Sequence, residues 1–66
     1  MTNGSDLLDK AQEIILALEA KGITRYNIAQ ETGLPEATLS RWVKKKVKKA
    51  DPDKFARLEK FYQSRI

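Results

Sequence analysis

The chain is 66 residues long, with 13 basic and 9 acidic side chains, a net charge of +4, and neither cysteine nor histidine. That fits one domain over residues 1–66 with a modest core, and it excludes disulfides, thiolate metal sites and histidine general bases, so no enzyme, metal or cofactor is expected. The charge is uneven: residues 34–66 hold ten basic and four acidic groups, residues 1–33 hold three and five, an asymmetry that favours a polyanionic partner met by one face.

A first helix is predicted from about Asp6 to Lys21. Leu7, Leu8, Ala11, Ile14, Ile15 and Leu18 recur at the spacing of one buried stripe. Ser5 is placed to cap it, with Asp6 and Asp9 where the helix dipole favours negative charge and Lys21-Gly22 as the stop. Ile14 to Leu18 is the longest purely apolar run, far short of the ~20 residues a membrane span needs. The opening Met-Thr-Asn-Gly-Ser-Asp lacks the basic and then apolar order of a secretory signal. A cytoplasmic protein with no membrane partner is expected.

A second helix is predicted over Arg25 to Thr32, capped by Thr24, with Ile28 and Ala29 facing inward and Gly33 at its end. Leu34 then points into the core, and Pro35 fits the first turn of a third helix, where its missing N–H costs nothing. That helix carries Leu39, Trp42 and Val43 on one face and Ser40, Arg41 and Lys44 on the other, fraying between Lys44 and Lys49. Asp51-Pro52 supplies a cap and a first helical residue for a fourth helix, about 52–64, with Phe55, Leu58, Phe61 and Tyr62 as its apolar stripe. No strand pattern, repeat or linker interrupts this all-α order.

The informative segment is about 25–44. Two short helices meet at a tight turn on Gly33, which tolerates positive φ, and small Ala29 stands four residues earlier where crossing helices come close. Burying Ile28, Leu34, Leu39 and Trp42 leaves the second helix with a polar, basic outward face suited to a major groove.

The stretch TRYNIAQETGLPEATLSRWVK, Thr24 to Lys44, resembles the helix-turn-helix of the phage repressor/Cro (XRE-like) regulators. The likeness rests on Ile28, Ala29, Gly33, Leu34, Leu39 and Trp42, and on the run Ser40-Arg41-Trp42. It implies a small lambda-repressor-like domain of four or five helices that binds double-stranded operator DNA; because one recognition helix covers only a few base pairs, a homodimer on DNA is expected. It departs from the family in having Arg25 where glutamine is common, and Pro35 where a hydroxyl residue often starts the recognition helix.

The resemblance places Pro35, Glu36, Ala37, Thr38, Ser40, Arg41 and Lys44 against DNA. Side-chain chemistry supports part of that set: arginine forks onto guanine, glutamate accepts from cytosine N4, and an alanine methyl packs on thymine. Base-edge candidates are Glu36, Ala37, Ser40, Arg41 and Lys44; phosphate candidates are Arg25, Thr38, Lys45, Lys46, Lys48 and Lys49. Trp42 shares the phase of Leu39, which makes it core and not a stacking platform. Phe55, Leu58, Phe61 and Tyr62 exceed what one face of a three-helix core needs, and they are the candidates for self-association.

Three other readings compete. A helical protein-interaction module, such as an antitoxin-type partner, would dock through the fourth helix. Val43 to Lys49 could serve as a membrane-surface or import segment, but two valines among five lysines make a narrow apolar face. RNA binding lacks the aromatic-studded strands common in single-strand readers.

Overall fold

The computed structural model describes residues 4–65, so the expectation about the opening residues 1–3 lies outside it. The helices are α1 (Gly4–Ala20), α2 (Arg25–Thr32), α3 (Glu36–Lys44) and α4 (Pro52–Arg65). Among the described residues there is no strand, and no helix is long and apolar enough to cross a membrane.

The first helix is the hub, packing against each of the other three. Its spacing explains why: Leu8, Ala11, Ile15 and Leu18 are buried, with Leu7 and Ile14 half-buried at the stripe's margins. The helix begins at Gly4, so Ser5 lies inside its first turn and not at the cap. It ends at Ala20, where the Gly22 and Ile23 amides donate to the carbonyls of Glu19 and Leu18, at 2.9 and 3.0 Å, with Gly22 at positive φ.

The second helix starts where its cap dictates. The Asn27 amide donates to Thr24 Oγ1 at 3.1 Å, relieving one of the orphan N–H groups of the first turn. Gly33, at φ 77°, closes the helix by donating its N–H to Ala29 O. Thr32 adds a device that the sequence pattern does not announce. Its buried hydroxyl donates to Ile28 O at 2.7 Å and accepts from the Leu34 amide at 3.2 Å, pinning the turn from inside. Pro35 stands one position earlier than expected, in extended conformation at the cap of α3, where its carbonyl accepts from Thr38 and Leu39. The ring fixes φ at about −65°, a value that serves an extended cap as well as a first helical residue.

At its far end α3 closes with a residue that is unusual for the task. Lys45 is left-handed, at φ 54°; its amide donates to Trp42 O, and the Lys46 amide donates to Arg41 O. This is the pair of bonds that a glycine usually makes at a helix C-terminus. The following loop is held by Val47, which packs on the core, and by fully buried Ala50. Asp51 then caps α4, its carboxylate accepting from the Asp53 amide at 2.8 Å, and Pro52 is the first helical residue.

The core joins Leu8, Ala11, Ile15 and Leu18 of α1 to Ile28, Leu34, Leu39, Trp42, Ala50, Phe55, Leu58 and Phe61. Phe55 and Phe61 are 6 and 8% exposed and Leu58 is fully buried. The protomer's own core therefore consumes three of the four residues expected to be spare for self-association. The fourth helix packs on both α1 and α2, so its apolar stripe serves two neighbours where one was allowed for. Only Tyr62 stays half-buried.

Trp42 is the sole tryptophan and is 3% exposed. Truncating a buried aromatic to alanine costs about 3–5 kcal/mol, against a reserve of about 3–10 kcal/mol for a chain of this length. Trp42→Ala should abolish or nearly abolish the cooperative thermal transition. Wild-type indole fluorescence should be blue-shifted and poorly quenched by iodide. Ready quenching, or an alanine variant melting like wild type, would show that the indole lies outside the core.

Candidate nucleic-acid interface

The geometry of α3 follows from what it buries. Successive residues of an α-helix are about 100° apart, so seating Leu39 and Trp42 in the core turns positions 36, 37, 40, 41 and 44 to the opposite side. Glu36, Ala37, Arg41 and Lys44 are exposed there, and Ser40 is half-buried. The five base-edge candidates thus share one surface. Thr38 sits on its flank, half-buried, and lines a shallow hollow with Arg41, Trp42, Val47, Lys49, Asp51 and Lys54.

The lysines part company. Lys44, Lys46, Lys48 and Lys49 are exposed beside or after α3, on a loop anchored by Val47 and Ala50. Lys45 turns back instead: its Nζ lies 2.6 Å from Asp9 Oδ1 on α1. Val43 and Val47, the two apolar residues of this segment, are partly buried and pack on the core. Lys54, in the first turn of α4, joins the hollow beside α3. In the sequence it is one lysine of an ordinary amphipathic helix, and only the fold's return to α3 marks it.

Arg25 also differs from expectation. Its Nε and Nη2 donate to the two carboxylate oxygens of Glu19, at 3.0 and 3.2 Å, and its Nη1 donates to Ser40 Oγ at 3.2 Å. The phosphate candidate on α2 and the base-edge candidate on α3 are therefore bonded to each other, and both hang from the end of α1. A second tie from α1 holds the far end of α3, where Gln12 Nε2 donates to Val43 O at 2.7 Å. That carbonyl belongs to the last helical turn, which has no partner of its own within the helix.

A helix-turn-helix with a polar, basic outer face, a lysine loop at its end and three ties to α1 is now in place. The helix-turn-helix family matches residues 14–66, from the middle of α1 through α4. The chain belongs to this family, the XRE-like helix-turn-helix proteins. It is a DNA-binding regulator. No curated protein and no solved structure matches the chain at a significant level. In this helix-turn-helix regulator, the matched stretch contains both motif helices, the lysine loop and most of the core. Among the described residues no cluster of acidic side chains is arranged to hold a metal.

Proposed function

We propose that this regulator reads double-stranded DNA sequence-specifically, laying α3 in the major groove and acting as a Cro-like repressor that occupies an operator. The carrying observation is the opposition of faces on α3: Leu39 and Trp42 are buried, while Glu36, Ala37, Arg41 and Lys44 are exposed. A helix so mounted offers an arginine fork, a carboxylate acceptor and a methyl group at one groove-facing surface. Lys46, Lys48 and Lys49, with Thr38 and Lys54 at the flank, suit phosphates on either side. Repression asks only that the site be occupied, which a seated recognition helix with flanking phosphate contacts can do. The setting is the cytoplasm of a bacterial or phage-infected cell, on the nucleoid when bound.

One recognition helix covers only a few base pairs, so a twofold pair of protomers on half-sites about 34–36 Å apart completes the reading. The surface offered for pairing is the shallow groove between α1 and α4, lined by Ile14, Ala17 and Tyr62 over the edge of the buried Phe55 and rimmed by Lys10, Glu13 and Glu59. Its rim carries both signs of charge, so a twofold axis can set Lys10 of one protomer against a glutamate of the other.

Arg41→Ala should cost about 1–3 kcal/mol at a selected site and relax preference at one base pair. Random duplex should be far less affected; equal losses on both would demote Arg41 to a phosphate contact. Replacing Lys46 and Lys49 together with alanine should flatten the log–log salt dependence by about 1.8 and weaken both duplexes alike, if each lysine neutralises one phosphate. An unchanged slope places both lysines off the interface. Wild type should load two protomers per selected site, and Tyr62→Lys one at a time. Paired loading by that variant would remove the α1–α4 groove from the assembly.

A further inference from the structure

The tie between Glu19, Arg25 and Ser40 has a directional property that a simple ion pair lacks. Guanidinium is planar, with its five N–H donors in a fixed fork. Once Nε and Nη2 lie on the Glu19 carboxylate, at 3.0 and 3.2 Å, the direction of Nη1 is no longer free. It points at Ser40 Oγ, 3.2 Å away. The three residues come from three elements: Glu19 from the last turn of α1, Arg25 from the first residue of α2, Ser40 from the middle of the outward face of α3. The Glu19 and Arg25 side chains are 28 and 27% exposed, shielded enough that the pair holds its geometry better than a fully solvated one.

We infer that Glu19 and Arg25 are positioning residues for DNA reading: the carboxylate aims the guanidinium, and the guanidinium fixes Ser40 and the pose of α3. This rests on the DNA-reading proposal above and revises one part of it, because Arg25 then acts inside the protein and not on a phosphate. It also sets the polarity of Ser40. Its oxygen accepts from Arg25, so its proton is left to donate outward, toward an acceptor such as a purine N7, thymine O4 or a phosphate oxygen.

The test compares Glu19→Gln, Arg25→Lys and Ser40→Ala with wild type, all shown to be folded by circular dichroism and thermal melting. Affinity is measured on a selected duplex and a random duplex across a salt series. Arg25→Lys keeps the charge a phosphate needs but cannot fork between Glu19 and Ser40. The clamp predicts that it and Glu19→Gln each lose about tenfold on the selected duplex, with less than about twofold change on the random one. Their salt slopes should match wild type, and Arg25→Lys combined with Ser40→Ala should lose no more than either alone. If Arg25 instead serves a phosphate, Arg25→Lys stays near wild type and Glu19→Gln binds both duplexes as well or better; that result overturns the clamp alone. Should a variant fail to fold, Glu19→Asp, which keeps the charge but draws the carboxylate back from the fork, carries the same expectation of lost selectivity. Wild type with no salt-dependent affinity for any duplex overturns the DNA-reading proposal and the clamp together.

Discussion

Everything that α3 can present to a partner depends on the seating of Leu39 and Trp42 against the hub helix. Both are essentially removed from solvent, in a core shared with Ala11, Ile15 and Leu18 of α1. A helix turns by about 100° per residue, so a one-residue change of phase would bury Ser40 and expose Leu39. The indole does most to forbid that slip, because its volume has one place to go. The polar face is thus a consequence of the apolar one: Glu36, Ala37, Arg41 and Lys44 are outward because nothing else can be.

Apolar burial fixes the rotation of α3 but leaves its tilt and its ends loosely determined, and three polar ties from α1 deal with these. Asp9, Gln12 and Glu19 reach Lys45, Val43 O and Arg25 in turn. With Leu16 between them, the spacing of three, four and three residues places these side chains along one stripe of α1, beside the buried stripe. The energetic weight of these ties is modest: an exposed pair such as Lys45–Asp9 contributes at most about 1 kcal/mol, and a hydrogen bond such as Gln12 to Val43 O about as much. Their value is geometric. Lys45 illustrates this: a lysine in the left-handed region gives up the ease of glycine there, and its ammonium gains Asp9.

Local chemistry made much of the fold legible in the sequence. Thr24, Gly33, Asp51 and Pro52 act on their immediate neighbours, so the limits of α2 and the start of α4 could be read from them. The starts of α1 and α3 lie a residue or so from where Ser5 and Pro35 alone put them, because helix starts depend on carbonyl partners as well as on residue type. The outward set on α3 was legible because periodicity alone determines it once Trp42 is assigned to the core. What the sequence could not disclose was pairing at a distance. Lys45 and Asp9 are far apart along the chain, and a lysine in a run of lysines gives no sign that it pairs with α1. The same holds for Phe55, Leu58 and Phe61: an apolar stripe does not say whether its own protomer or another will cover it, and here the protomer does.

One surface, the outward side of α3 with the loop that follows, is the part of this helix-turn-helix regulator proposed to meet duplex DNA. Backbone amide shifts recorded by NMR during titration with a selected duplex test that most directly. The largest perturbations should fall between Glu36 and Lys49, with a smaller set at the first turn of α4 near Lys54. Outside the α1–α4 groove where protomers are proposed to pair, α1 should move least. Perturbations centred on α1 or the far end of α4, with residues 36–49 unmoved, would contradict the assignment of the reading face.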